Sequence, residues 1–137
     1  MNKKTIGEIY NCNYIEDNGN LYPLQKWYNE LIDKSTSEIT VSDVLKMVRQ
    51  KEFIELAVLK SIDLLKCDPL VGELYDGELL EKLYTIDKTD LQEHYYEIQI
   101  ILSKARVQSD KHEWLCEEER EEFSNLINEF ANKINIK

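Results

Sequence analysis

The stretch Ile39-Thr40-Val41-Ser42-Asp43-Val44-Leu45-Lys46-Met47-Val48-Arg49-Gln50 opens with a helix-start signal and continues at a helix period. Thr40-x-x-Asp43 is a variant of the capping box: the threonine oxygen can accept the amide three residues on, and the acid suits the positive helix start. Val44, Leu45 and Val48 then form one apolar stripe. Toward the C-terminus, Glu52 to about Lys66 carries Phe53, Leu56, Ala57, Leu59, Leu64 and Leu65, a pattern apolar on most sides that marks a central helix. Asp68-Pro69 ends it, because proline disfavours the α-conformation in the residue before it. A short helix follows Asp76-Gly77 with Leu79, Leu80 and Leu83 inward. Thr89-x-x-Gln92 reads as a second capping box opening a long helix to about Val107, striped by Leu91, Tyr95, Ile98 and Leu102. The last helix spans roughly 117–134, acidic in its first turn and apolar at Phe123, Leu126, Ile127, Phe130, Ala131 and Ile134.

Toward the N-terminus, Pro23 sits where a first helical turn tolerates it, and Leu24, Trp27, Tyr28 and Leu31 follow at i, i+3, i+4 and i+7. This predicts a helix over 22–34, ended by Ser35-Thr36-Ser37. Asp17-Asn18-Gly19-Asn20 is a turn signal closing a polar, tyrosine-bearing arm over 1–20. No segment sustains a period of two. The expected fold is all-α: one compact domain over 1–137, a bundle of about six helices.

Composition agrees with a globular helical chain. Of 137 residues 42% are hydrophobic, enough for a core, while 4 Gly and 2 Pro argue against turn-rich all-β classes. With 17 basic residues against 27 acidic ones and a net charge of −10, a nucleic-acid binder is not expected, since it must neutralise phosphates. No apolar run reaches membrane-span length, and the N-terminal residues lack a signal-peptide pattern. Cys12, Cys67 and Cys116 are odd in number and far apart, as expected of small buried hydrophobes in a reducing cytosol. A cytoplasmic protein without membrane contact is the expectation.

Candidate chemistry is sparse. His94 falls within the predicted Thr89 helix, where a polar or partly buried role is expected. His112 and Cys116 are spaced i, i+4, so on one helix both could face a zinc ion, but two ligands do not make a site. Glycine-rich phosphate loops, nucleophile elbows and His-Glu-x-x-His are missing. Neither an enzyme nor a cofactor or metal is expected.

The charge is regional. Between Asp68 and Glu97 nine acids stand against Lys82 and Lys88; between Asp110 and Glu122 seven stand against Lys111 and Arg120. Such regions solubilise a surface, or offer a face to a basic partner.

The run Ile39 to Gln50, continued through Leu56-Ala57, Leu64-Leu65-Lys66-Cys67-Asp68-Pro69-Leu70-Val71-Gly72-Glu73 and Tyr75-Asp76-Gly77-Glu78-Leu79-Leu80, resembles the helical immunity proteins of bacterial contact-dependent growth inhibition. Members typically read Leu-Thr-Val-Glu-Asp-Leu-Arg at the cap and Tyr-x-Gly-Asp-Leu-Leu after the Asp-Pro-Leu element. Here Ser42 replaces the usual acid, and Glu78 stands where an Asp is usual. The resemblance is close over a third of the chain, loose over 20–85, and does not extend to the final 50 residues. It implies a cytosolic antidote that binds the toxic C-terminal domain of a surface-delivered effector, usually a nuclease, without chemistry of its own. A nuclease presents a basic cleft, and carboxylates can stand there in place of phosphates. The alternative is a non-enzymatic helical adaptor or regulatory subunit of an intracellular complex.

The expected partner-binding centre is the loop and short helix from Glu73 to Glu81. Tyr75 offers a large rigid ring with a hydroxyl, and Glu73, Asp76, Glu78 and Glu81 surround it with charge. The competing expectation is that Asp76 caps the short helix and Tyr75 packs in the core.

Overall fold

The computed structural model describes residues 4–16 and 19–135. Asp17 and Asn18 of the anticipated turn lie outside the described residues. Among the described residues every regular element is helical, and one isolated antiparallel bridge joins Thr5 to Ser35. The six anticipated helices are present as α2 (Pro23–Ile32), α3 (Val41–Gln50), α4 (Ile54–Cys67), α5 (Glu78–Tyr84), α7 (Tyr95–Lys111) and α8 (Glu117–Ile134). Two short segments join them, α1 (Ile6–Tyr10) and α6 (Lys88–Leu91), with 3-10 turns at Thr36–Glu38 and Gln92–His94.

The chain divides into two units, 1–43 and 44–137, with the boundary inside the first turn of α3. In the first unit, residues 5 to 15 are tied down at several points. Ile6 is fully buried, and its amide donates to the Lys34 carbonyl at 2.8 Å. Thr5 and Glu8 form a reciprocal capping box for α1. Asn29 on α2 exchanges two hydrogen bonds with the backbone of Ile15, at 2.8 and 3.0 Å, and the Tyr14 hydroxyl donates to Asp33.

The Thr40 cap forms as anticipated. The Asp43 amide donates to Thr40 Oγ1 at 3.1 Å, and the Thr40 amide donates back to Asp43 Oδ2 at 3.0 Å. Asp43 is only 5% exposed and also receives Trp27 Nε1 at 3.0 Å and Lys34 Nζ at 2.6 Å. Burial raises its pKa, but those donors outweigh burial and hold the carboxyl below its ordinary value.

In the second unit α4 is central, packing against α5, α6 and α7. It begins at Ile54 rather than Glu52 because Lys51 and Phe53 both take left-handed backbone conformations, with φ of 56° and 49°. The long helix also starts differently from expectation. Thr89 is not its cap: the Asp87 side chain accepts the Thr89 amide and starts α6, and a 3-10 turn then separates α6 from α7. His94 lies in that turn, 3.7 Å from Glu97, and α7 continues past Val107 to Lys111.

Helix α8 pairs with α7 and is fixed to the two ends of α5. Near its start Phe123 meets Gly77; near its end Lys133 Nζ donates to the Ile86 carbonyl at 2.6 Å and to that of Tyr84. Burial lowers the Lys133 pKa while these carbonyls hold its ammonium. The α8 stripe is buried at Phe123, Ile127, Phe130 and Ile134. Two cysteine expectations are corrected: Cys67 and Cys116 are exposed at helix ends and Cys12 is half-buried, all three as free thiols.

Candidate partner-binding site

The loop between α4 and α5 is built by its own backbone. Asp68 ends α4 in an extended conformation, and its Oδ1 accepts the Leu70 amide at 3.0 Å. The Gly77 amide donates to the Leu70 carbonyl at 2.8 Å, and that of Leu79 to Val71 at 3.1 Å. At Gly72 there is no room for a side chain, since a Cβ would stand 2.1 Å from the Tyr75 carbonyl oxygen. Gly77 turns the chain into α5 with φ of 86°.

Glu78 completes this loop from inside. It is 2% exposed, and its Oε1 accepts the amides of Glu73 at 2.8 Å and Leu74 at 2.9 Å. The expectation that Glu78 is one of the charges placed around Tyr75 is therefore corrected: its carboxylate is turned inward onto two loop amides. Leu79, Leu80 and Leu83 are fully buried, as anticipated.

The remaining anticipated residues lie at the surface. Glu73 is exposed, as is Leu74 at 77%. Tyr75 is exposed rather than packed in the core, and its hydroxyl donates to Glu81 Oε1 at 3.0 Å. Partial burial and that carboxylate push the phenol up to about 12. Asp76 does not cap α5; its Oδ2 lies 2.7 Å from His112 Nε2.

That contact links the loop to the turn between α7 and α8. The His112 ring stacks edge-on against Trp114 at 4.6 Å, and Trp114 lies 5.4 Å from Phe123 while donating Nε1–H to the Ser109 carbonyl at 3.0 Å. Tyr75, Trp114 and Phe123 thus line one open cleft together with Glu81, Glu119 and Glu122. The two acidic regions of the sequence meet here, Glu81 from the first and Glu119 and Glu122 from the second. Among the described residues no basic side chain pairs with Glu119 or Glu122, and the Lys82 ammonium stands 3.9 Å from Glu81. Leu115, beside Trp114 in the chain, is 92% exposed.

Trp114 and Phe123 were not anticipated as site residues, and Glu119 and Glu122 only as members of the acidic region from Asp110 to Glu122. The sequence signal for the rings is an aromatic residue next to an acidic helix start. His112 and Cys116 do not share a helix face, because His112 ends α7 and Cys116 precedes α8. Among the described residues no group of three or more His, Cys, Asp or Glu side chains could hold a metal ion, and no helix is long and apolar enough to cross a membrane.

A search of curated proteins finds no match. A family model described as CDI immunity proteins matches residues 8–101, a segment that runs from α1 into α7 and includes the whole loop built on Glu78. With the family matched over most of its length, the chain belongs to the CDI immunity proteins.

Proposed function

We propose that this protein binds the toxic domain of its cognate contact-dependent growth inhibition effector in the cytoplasm and neutralises it by occupying its surface, and that the toxin is a nuclease. Neutralisation of this kind needs complementary surfaces and no bond chemistry, so the protein is not an enzyme. The observation that carries the reading is the meeting of both acidic regions at one cleft whose carboxylates Glu119 and Glu122 have no basic partner among the described residues. A nuclease must present cationic groups to hold phosphates, and carboxylates are the protein groups that match them. The exposed apolar residues Leu74, Tyr75 and Leu115 add the desolvated contact that carboxylates alone do not supply.

The test is co-expression. Cells making this protein should survive the toxin domain encoded immediately upstream and should die from an unrelated one. The purified pair should form a stoichiometric complex in which nuclease activity disappears. Loss of protection, or a toxin without nuclease activity, would overturn the corresponding part of the reading.

A further inference from the structure

We infer that the cleft between the α4–α5 loop and the start of α8 receives one arginine side chain of the toxin, held between aromatic rings and gripped by carboxylates. The inference rests on the immunity reading and assigns its point of contact.

Three observations converge. First, the walls are aromatic. Tyr75, Trp114 and Phe123 all line it, with the last two rings 5.4 Å apart, so a flat cation entering the cleft would meet aromatic surface. A guanidinium stacks on such rings more readily than an ammonium, because it is planar and weakly hydrated. Second, Glu81, Glu119 and Glu122 bring carboxylates to the same space. They offer the acceptors that the five N–H donors of arginine require. Third, the cleft is braced by its own contacts. The Glu78 carboxylate fixes the loop under Tyr75, the Asp76–His112 contact joins loop to turn, and Phe123 is seated on Gly77. A preorganised site spends little ordering entropy on its ligand.

The geometry separates this cleft from the general acidity of α8. Glu118 and Glu121 lie in the same helix and are exposed, but they do not line it. Replacing either pair of glutamates by glutamine removes the same charge from the same helix. Only one pair alters the cleft.

The experiment measures binding of the upstream-encoded toxin domain to four proteins: the parent, Glu119→Gln with Glu122→Gln, Glu118→Gln with Glu121→Gln, and Trp114→Phe. The cleft pair should weaken binding by about tenfold or more, and the control pair by less than about twofold. Trp114→Phe keeps a ring but loses the Ser109 hydrogen bond, and should weaken binding by an intermediate factor. Melting curves confirm that each variant is folded. Each toxin arginine is then replaced by alanine and combined with the cleft pair in a double-mutant cycle. One arginine should show strong coupling with the cleft pair and none with the control pair. If the parent fails to bind, the immunity reading falls, and the cleft assignment with it. If the parent binds and both glutamine pairs behave alike, or the coupled residue is not an arginine, the cleft assignment alone is overturned.

Discussion

Phe123 of α8 and Gly77 at the start of α5 meet so closely that a methyl group at position 77 would stand 2.6 Å from Phe123 Cε1. This contact seats the acidic half of α8 against the loop that carries Tyr75. Gly77 is needed for two reasons, the second being its φ of 86°. Gly77→Ala should therefore destabilise the protein by about 2–4 kcal/mol, a backbone cost plus a packing cost. Gly19→Ala isolates the backbone cost, since Gly19 has φ of 83° but nothing within 4 Å of an added Cβ. It should lose only about 1 kcal/mol. Denaturant titration of both variants checks the difference, and equal losses would show that Phe123 yields to the methyl group.

Glu78 should behave as a structural acid. Glu78→Ala leaves the amides of Glu73 and Leu74 without their acceptor and should cost about 1–3 kcal/mol. Glu78→Gln keeps a carbonyl acceptor and should cost less, because only the charge-assisted part is lost. Glu78→Lys should be the worst of the three, placing a cation among amide donors at a site 2% exposed. The order Gln, Ala, Lys in falling melting temperature is the expected result. A benign Lys variant would mean that the loop can reopen and expose position 78.

The Thr40–Asp43 box predicts both a mutational and a pH effect. Thr40→Ala should cost on the order of 1 kcal/mol, the usual value of a lost cap. Asp43 titrates below its ordinary value of 3.8 in the folded protein because Lys34, the Thr40 amide and Trp27 outweigh the opposing effect of burial. A folded pKa below the unfolded one means that the unfolded chain takes up the proton first as pH falls. The stabilising contribution of Asp43 is thus complete above the ordinary carboxylate range and is lost as pH falls through 3.8 and below. Asp43→Asn should lower stability near neutral pH and flatten the acid limb of a melting-temperature curve. Trp27 fluorescence, which senses the Asp43 contact, should lose its acid transition in the same variant. An unchanged acid limb would show that other carboxylates govern acid unfolding.

What the sequence disclosed about the fold follows from how far each signal reaches. Helix α8 was legible from end to end because eighteen residues repeat one apolar stripe behind an acidic first turn. Helix α1 was not, although Thr5-Ile6-Gly7-Glu8 carries the same capping grammar as Thr40-Val41-Ser42-Asp43. Five residues give one apolar position, Ile6, and a period cannot be read from one point. Thr89 misled because a threonine three residues before a glutamine also follows Asp87, and the acid two residues upstream took the amide. The site was half legible. Tyr75, Asp76, Glu73 and Glu81 share one short segment, and they are where the loop places them. Glu78 was miscounted because a charge in a list has no direction; only the tight approach of Gly72 to residue 78 turns its carboxylate onto the loop amides. Trp114 was missed, and Glu119 and Glu122 were seen only as part of an acidic region, because about 40 to 47 residues separate them from Tyr75, a distance closed by the pairing of α7 with α8 and the contact of His112 with Asp76.

With Glu78 buried, Glu73 and Glu81 are the charges at this loop that can meet a partner without disturbing the fold. Both are exposed, and neither accepts a backbone amide in the structure. Glu73→Lys with Glu81→Lys moves the net charge by four toward neutral while leaving the buried leucines of α5 untouched. Melting temperature should change little, since Glu81 loses only a surface hydrogen bond from Tyr75. Binding to a basic toxin should weaken chiefly because the partners meet more slowly: long-range attraction between opposite charges raises encounter rates, and reversal of two charges removes it locally. The association rate should fall on the order of tenfold at low salt, and the deficit should shrink as the Debye length contracts to about 3 Å near 1 M. Dissociation should rise less, because Tyr75 and the α8 half of the cleft remain in place. Stopped-flow association at two ionic strengths decides the matter. A double variant that associates and protects like the parent would remove this loop from the interface.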